Sequence, residues 1–260
     1  MLTSLSNGTI FGEIEGQSKK GVVFLHGWGR SRADFSVIAE KAVAAGFMAA
    51  RLDLPGFGAT PPPETGEGTI WYSKAVADAI RDLVCKYGIE EVAVVGHSFG
   101  GRIAVQLAKG IAKESLTLGA SCVGFIISGV PLFRPEGKKG PSLGLRTLKF
   151  LVRMRMLPYS RLEKYRSNHG SLDYRRAEGV MRETFVKVVN EDYSEQLASI
   201  EGIPFVFYWG QDDTAAPLSH AQRGVEMVDM GRLIVVRGDH FTFLSEADDV
   251  VKELHGLFAK

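Results

Sequence analysis

Apolar runs of strand length alternate with amphipathic segments of helix length along most of this 260-residue chain. The apolar runs predict buried strands at residues 22–25, 47–52, 92–95, 122–128, 204–209 and 233–236. Apolar residues at helical spacing predict helices at residues 33–45, at 70–87, from 99 onward, at 221–227 and at 247–258. Strands separated by helices of this length form parallel sheets, so the pattern predicts an α/β fold with helices on both faces of a mostly parallel central sheet.

Two segments depart from this alternation. Residues 9–15 alternate apolar and polar side chains and, with the glycine-bounded turn region at residues 16–21, predict an opening antiparallel hairpin. Residues 131–200 show helical patterning without a convincing strand. We therefore predict one core domain, made of residues 1–130 and 201–260, that is interrupted by a helical cap insertion at residues 131–200.

Ser98 lies between a predicted strand and a predicted helix, in the stretch Glu-Val-Ala-Val-Val-Gly-His-Ser-Phe-Gly-Gly-Arg at residues 91–102. Gly96 and Gly100 bracket it as G-x-S-x-G, and we expect that a Cβ at either glycine would clash with the neighbouring strand or helix. Such a sharp turn holds the serine hydroxyl exposed at the carboxyl edge of the sheet. The helix N-terminus adds a partial positive charge, and the Phe99 amide is free to donate to a developing oxyanion.

Two other glycine motifs are incomplete. The residues from Gly96 onward half-match a phosphate-binding loop, but Arg102 and Ile103 occupy the positions of its lysine and its magnesium-binding hydroxyl. Gly27 begins a dinucleotide-binding fingerprint, but Arg32 occupies the position of its third glycine. These departures argue against both kinds of nucleotide site.

A serine nucleophile needs a general base and an acid that orients the base. In a parallel sheet these groups lie on loops after the carboxyl ends of strands, because those loops converge on one crevice. His240 directly follows the last predicted strand and is predicted to be the base. Asp212 and Asp213 follow the preceding strand, and one of them is predicted to be the acid, whereas Asp239 is expected to be solvated. Serine, aspartate, histidine is the order expected after this kind of turn.

The other histidines are given no catalytic role. His26 and His97 lie next to loop backbone and are expected to be structural. His169 lies in the predicted cap, and His220 and His255 lie on predicted helices, where exposure to solvent is the default expectation.

Composition narrows the class of protein. A hydrophobic content of 45% lets the chain bury a full core, and a net charge of +1 gives no global attraction to nucleic acid. Residues 1–10 lack the basic start and apolar run of a signal peptide, and no stretch is long enough to span a membrane. Cys85 and Cys122 lie among apolar residues and are expected to be buried free thiols, which fits a reducing compartment. We therefore expect a cytoplasmic protein.

Taken together, these motifs resemble the α/β-hydrolase family over nearly the whole chain except the predicted cap. In that family a strand ends in His-Gly-x-Gly, as at residues 26–29 here. The resemblance implies that the Trp28 amide is a second oxyanion donor beside Phe99. The family's D-x-P-G-x-G loop occurs at residues 53–58, where it is expected to be structural and to lie near the pocket mouth.

The family's acid and base loops can be compared in the same way. Its W-G-x-x-D-x-x-x-P pattern matches residues 209–217, which selects Asp213 over Asp212 as the acid. Its usual Gly-x-Gly-His has become Arg-Gly-Asp-His at residues 237–240, and this is the one departure from the family pattern.

The resemblance implies a serine hydrolase that cleaves a carboxylic ester through Ser98, His240 and Asp213 and an acyl-enzyme intermediate, with no metal or organic cofactor. The motifs are similar to those of pimeloyl-carrier-protein methyl ester esterases and of carbon–carbon bond hydrolases that act on ring-cleavage products. A carbon–carbon bond hydrolase or a thioesterase on the same residues is therefore the alternative. A non-catalytic ligand receptor on a hydrolase fold is the competing class.

The predicted cap is expected to set the choice of a small acyl substrate, and its charge is uneven. Its basic residues are Arg134, Lys138, Lys139, Arg146, Lys149, Arg153, Arg155, Arg161, Lys164 and Arg166, against the acidic Glu136 and Glu163. Its apolar positions on one helix side are Leu145, Leu148, Leu151 and Val152. One interpretation is a solvated face whose apolar side covers the pocket. The other is attraction of an acidic small molecule, an acyl carrier protein or an anionic membrane surface. Oligomeric state is left open.

Overall fold

The computed structural model describes residues 2–134, 143–158, 160–162, 165 and 171–259. The strands are β1 (Leu2–Leu5), β2 (Ile10–Glu15), β3 (Lys20–Leu25), β4 (Met48–Asp53), β5 (Glu91–His97), β6 (Ser121–Ser128), β7 (Phe205–Gly210) and β8 (Gly231–Val236). Within the described residues they form one sheet in the order β1-β2-β4-β3-β5-β6-β7-β8. The sheet is parallel from β4 to β8, as predicted.

The helices are α1 (Ser36–Ala44), α2 (Thr69–Tyr87), α3 (Phe99–Ala112), α4 (Leu143–Arg153), α5 (Leu172–Arg176), α6 (Gly179–Val188), α7 (Ser194–Leu197), α8 (Leu218–Val225) and α9 (Ala247–Phe258). The helix predicted at residues 33–45 is in fact a short 3₁₀ helix, Arg32–Phe35, followed by α1. The Ser31 hydroxyl accepts a hydrogen bond from the Ala33 amide, so the side chain of Ser31 caps this start.

The opening strands pair differently from the sequence prediction. β2 lies antiparallel to β1 and to β4, and β4 separates β2 from β3. The predicted hairpin across residues 16–21 is therefore wrong. Alternation marks β2 as half-buried but does not identify its partner strand. Cross-strand charges favour the observed pairing, because Arg51 of β4 contacts Glu13 and Glu15 of β2 at 2.9 and 2.7 Å.

Both faces of the sheet are covered. Along β3, Val23 and Leu25 belong to the core that contains α2 and α3, whereas Val22 and Phe24 belong to the core that contains α1 and α9. Burial on both sides explains why this strand is continuously apolar rather than alternating.

Between β6 and β7 the described residues form α4 to α7 and contain no strand. Of the predicted cap's basic residues, Arg134, Arg153, Arg155 and Arg161 are exposed. The residues that lie outside the described part of the chain are Glu136, Lys138, Lys139, Glu163, Lys164, Arg166 and His169, together with the side chains of Leu145, Arg146 and Lys149. The division into core and cap therefore stays a prediction.

Both cysteines are free, but their exposure differs. Cys122 is half-buried, whereas Cys85 is exposed, so the expectation of burial is wrong for Cys85. Ile80 and Leu83 turn the apolar side of α2 toward the core, which leaves position 85 facing solvent. No helix in the described ranges combines the length and the apolar character that crossing a bilayer requires.

Candidate active site

Ser98 lies directly between β5 and α3, at a backbone φ of 50°. This left-handed conformation is strained for a residue with a side chain. A Cβ at Gly96 would lie 2.7 Å from the Gly100 carbonyl oxygen, and one at Gly100 would lie 2.0 Å from the Leu25 carbonyl oxygen. Both glycines are therefore required by space, as the sequence predicts, and the turn is as sharp as expected.

Neighbouring strands fix the turn in place. The Ser98 amide donates to the Ser128 carbonyl at 2.8 Å, at the end of β6. The Gly100 amide donates to the His26 carbonyl at 3.0 Å, just after β3. The serine is thus tied to the carboxyl ends of two strands, which is the edge of the sheet where the sequence places it.

His240 and Asp213 are brought together from the loops after β8 and β7. The imidazole Nδ1 lies 2.8 Å from Asp213 Oδ2, and the aspartate side chain is only 1% exposed. The other carboxylate oxygen, Oδ1, accepts from the amides of Ala215 and Ala216 at 2.9 and 2.8 Å. Because a carboxylate can only accept here, the proton of the neutral ring lies on Nδ1, and Nε2 keeps a lone pair that can take a proton.

The neighbouring aspartates lack this environment. Asp212 and Asp239 are both exposed, whereas Asp213 is buried. Asp239 accepts from the Phe241 amide at 2.9 Å, a local turn contact. The structure therefore places Asp213 beside the imidazole and leaves Asp239 in solvent.

One cavity of about 1290 Å³ adjoins these groups. Ser98 and His240 line it, and so do Met181 and Phe185 of α6. Phe57 of the loop at residues 53–58 also lines it, which agrees with the expected position of that loop near the pocket.

The amides of Trp28 and Phe99 belong to residues that line the same cavity. Within the described ranges, neither amide donates to a protein acceptor. A Cβ at Gly27 would lie 3.5 Å from the Ser98 Cβ, so the loop that carries Trp28 runs alongside the serine. Two amide donors without a described protein acceptor, located beside a serine, are suited to stabilising negative charge on a bound oxygen.

His26 orients the first of these donors. Its Nδ1–H donates to the Gly27 carbonyl at 2.7 Å, and its Nε2 accepts from the Leu54 amide at 3.0 Å. A peptide unit is planar, so holding the Gly27 carbonyl also fixes the direction of the Trp28 amide. Burial lowers the pKa of His26, which keeps the ring neutral and able to accept from Leu54. Its role is structural, as expected.

His97 supports the loop that carries His240. Its Nε2–H donates to the His240 carbonyl at 2.8 Å, and the two ring centroids are 4.7 Å apart. Burial lowers the pKa of His97 to about 4, and the neighbouring His240 acts in the same direction. The sequence position of His97 indicates a structural role but not its partner His240, because the contact joins the end of β5 to the loop after β8.

Among the polar residues that line the cavity, Arg102 and His220 were given no site role from the sequence. In the sequence, Arg102 stands only as a mismatch to a phosphate-binding loop, and His220 is expected at the surface. The signal for Arg102 was its spacing, since a residue four positions after Ser98 lies on the same face of α3. No such signal exists for His220. In the described part of the chain, no group of His, Cys, Asp and Glu side chains could hold a metal ion.

Comparison with known proteins agrees with this geometry. Residues 22–253 match the model of the alpha/beta hydrolase family. A 2-hydroxy-6-oxononadienedioate/2-hydroxy-6-oxononatrienedioate hydrolase of Dechloromonas aromatica is 27% identical over 227 residues, which are 80% of this chain and 75% of that protein. A pimeloyl-[acyl-carrier protein] methyl ester esterase of Chromobacterium violaceum is 38% identical over 95 residues, which are 36% of this chain and 33% of that protein.

Solved structures share the fold. An esterase from Exiguobacterium antarcticum superposes with a TM-score of 0.69 at 19% identity, covering 100% of this chain and 99% of that one. The resemblance noted from the motifs is confirmed by the family match and by both kinds of relative. The chain therefore belongs to the α/β-hydrolase family and is a hydrolase built on an eight-stranded, mostly parallel sheet.

Proposed function

We propose that this enzyme hydrolyses a carboxylic ester through Ser98 as nucleophile, His240 as base and Asp213 as the orienting acid. The observation that carries the proposal is the 2.8 Å contact between His240 Nδ1 and Asp213 Oδ2, beside a cavity that Ser98 and His240 both line. The contact holds the tautomer in which Nε2 accepts a proton, and such a tautomer is what a serine nucleophile requires.

In the first half-reaction, His240 Nε2 takes the proton of the Ser98 hydroxyl as its oxygen attacks the ester carbonyl. The amides of Trp28 and Phe99 donate to the resulting oxyanion, and each donor contributes on the order of 10²-fold or more in rate. Asp213 stabilises the imidazolium that forms. The imidazolium then returns its proton to the departing alcohol, which leaves an acyl group on Ser98.

In the second half-reaction, His240 takes a proton from water, and the hydroxide attacks the acyl-enzyme. The same amides stabilise the second oxyanion. Collapse releases the carboxylic acid, and the proton returns to the Ser98 oxygen. The cycle needs no electron acceptor, and its atoms balance as ester plus water giving acid plus alcohol.

We further propose that residues 131–200 act as a cap over this site. Met181 and Phe185 of α6 line the same cavity as Ser98, so they would contact the acyl group. The exposed arginines Arg153, Arg155 and Arg161 would then face solvent, where they could attract an acidic partner such as an acyl carrier protein. If that attraction operates, kcat/KM for the natural substrate falls with added salt, and an unchanged kcat/KM refutes it. The free cysteines favour the reducing environment of the cytoplasm.

Carbon–carbon bond hydrolysis is the second candidate. The Dechloromonas aromatica relative, which is named a 2-hydroxy-6-oxononadienedioate hydrolase, aligns with 80% of this chain, whereas the methyl ester esterase aligns with 36%. Turnover of 2-hydroxy-6-oxononadienedioate, measured beside methyl esters and thioesters, ranks the candidates by kcat/KM.

Hydrolysis of p-nitrophenyl butyrate tests the main proposal. We expect Ser98→Ala and His240→Gln to lose on the order of 10⁴-fold or more in kcat. Asp212→Asn is the matched control for Asp213→Asn, because it changes the adjacent, exposed aspartate in the same way. A Ser98→Ala variant as active as the wild type would refute the proposal, because Ser98 would then have no catalytic role. Absence of turnover in the wild type would instead favour a non-catalytic receptor.

A further inference from the structure

A buried cation lies in the wall of the cavity, one helical turn from Ser98. The amide of Arg102 donates to the Ser98 carbonyl at 3.1 Å, which places the arginine one turn along α3, a rise of roughly 5 Å. Arg102 is only 8% exposed, and it lines the cavity. Burial of an unpaired charge is costly, so its partner needs to be identified.

The described residues satisfy Arg102 only in part. Nη1 donates to the Val188 carbonyl at the end of α6, and the guanidinium lies 5.7 Å from the centroid of the Tyr193 ring. Within the described ranges, no carboxylate forms an ion pair with Arg102. A helix-terminal carbonyl and an aromatic face carry partial charges, so a full positive charge and further N–H donors remain.

His220 supplies a second donor that lines the same cavity. Its Nδ1 accepts from the amides of Leu132 and Phe133 at 2.9 and 3.3 Å, so its proton lies on Nε2. That Nε2–H has no protein acceptor among the residues that the structure describes. Burial lowers the pKa of His220, and the positive charges of Arg102 and Arg223 act in the same direction, so the ring is a neutral donor.

The carboxylates of Asp213 and Glu191 are engaged elsewhere. Asp213 faces His240 and the amides after it. Glu191 accepts from the Thr69 amide at 3.0 Å and from the Tyr193 hydroxyl at 2.5 Å. These two carboxylates therefore do not neutralise Arg102, so its charge is available to a ligand that enters the cavity.

We propose that Arg102 and the Nε2–H of His220 form a carboxylate-binding subsite, and that the substrate is an ester whose acyl part carries a second carboxylate. A guanidinium presents parallel donors that match a carboxylate, and one unpaired cation balances one negative charge. The choice of ester rests on the proposed function, whereas the subsite does not.

Binding of a free dicarboxylate tests the subsite without catalysis. Adipate is titrated calorimetrically into Ser98→Ala and into the double variant Ser98→Ala, Arg102→Gln. Because a hydrogen bond to a charged group contributes a large share of such binding, we expect the double variant to bind roughly 10- to 100-fold more weakly. Equal affinities, or no binding to Ser98→Ala, would overturn the subsite.

Arg223→Gln on the Ser98→Ala background is the matched control. Arg223 lies 4.1 Å from the Phe133 ring centroid, in the same region, and its removal deletes the same formal charge. We expect adipate affinity to stay within about threefold, because a screened neighbouring charge contributes little compared with a direct contact. A loss as large as that of Arg102→Gln would mean general electrostatics and would contradict a specific subsite.

The ester preference is read as a ratio of kcat/KM values, monomethyl adipate over methyl heptanoate. If Arg102 acts only by capping α6, Arg102→Gln lowers both values together and leaves the ratio unchanged, which would overturn the proposal. If it binds the carboxylate, the ratio falls by about 10-fold or more. If Arg102→Gln does not fold, Arg102→Lys replaces the parallel donors of the guanidinium by a single ammonium charge. The ratio of kcat/KM values is then expected to fall severalfold. Failure of the wild type to cleave any ester refutes the proposed function. The adipate titration still tests carboxylate binding at the subsite, because it does not depend on turnover.

Discussion

Asp213→Asn changes one atom of a buried side chain. The two oxygens of the Asp213 carboxylate have separate partners. Oδ1 accepts from the amides of Ala215 and Ala216, and Oδ2 faces His240 Nδ1. An asparagine has one accepting oxygen and one donating nitrogen. Its oxygen must face the two backbone amides, because the alternative would set donors against donors. The nitrogen then donates to His240 Nδ1.

This exchange reverses the imidazole tautomer. With Nδ1 accepting, the ring proton moves to Nε2, which can no longer take the proton of Ser98. We expect kcat for p-nitrophenyl butyrate to fall on the order of 10⁴-fold. The backbone contacts of Oδ1 persist, so Tm is expected to change by less than about 3 °C.

Asp212→Asn serves as the control for this prediction. Asp212 is exposed and adjacent, so its replacement should leave kcat within about twofold. The reasoning is refuted if Asp213→Asn keeps kcat within about tenfold of the wild type, or if the two variants lose activity equally while both remain folded.

The remaining predictions concern stability. Gly100→Ala would place a Cβ 2.0 Å from the Leu25 carbonyl oxygen, so we expect a loss of about 3 kcal/mol and a Tm lower by roughly 5–10 °C, measured by calorimetry. Gly256→Ala, where a Cβ meets nothing within 4 Å on α9, should hold or raise Tm, and equal losses in both variants would contradict the packing argument. The pKa of His97 is about 4 in the folded protein, against 6.5 in the unfolded chain, so the folded protein binds fewer protons. Burial of the neutral ring therefore contributes folding stability above pH 6.5, and that contribution is lost as pH falls toward 4. Denaturant titration should show that stability falls by about 3 kcal/mol more in the wild type than in His97→Gln between pH 7 and 4, and parallel curves would contradict this.

Local pattern predicts most of the core sheet. The apolar runs locate β3 to β7 because these strands are largely buried on both faces, and that burial favours a continuous apolar sequence. The residues of β8 are only half-buried or exposed, but its apolar run still marks it as a strand. The partner of β2 could not be predicted, because its pairing with β4 depends on contacts between residues far apart in sequence, such as Arg51 with Glu15. The exposure of Cys85 is a similar case, since small differences in helix rotation separate a half-buried position from a solvated one.

The candidate site divides in the same way. Ser98, Asp213 and His240 could be nominated because each directly follows a strand, and parallel strands deliver such residues to one edge. Position alone did not separate Asp213 from Asp212. The amides of Ala215 and Ala216 fix which aspartate is buried, and only the family pattern indicated this beforehand. The sequence does not place Arg102 and His220 at the site, because their relation to the cavity depends on α6 and on the backbone after β6.

The most direct measurement of the central claim is covalent labelling of the protein with a fluorophosphonate, followed by intact-mass and peptide analysis. The proposed nucleophile, base and acid predict a single adduct on Ser98, lost in Ser98→Ala and formed on the order of 10³-fold more slowly in His240→Gln. Labelling of Ser98→Ala at the wild-type rate, or an adduct on any other residue of the wild type, would contradict the account.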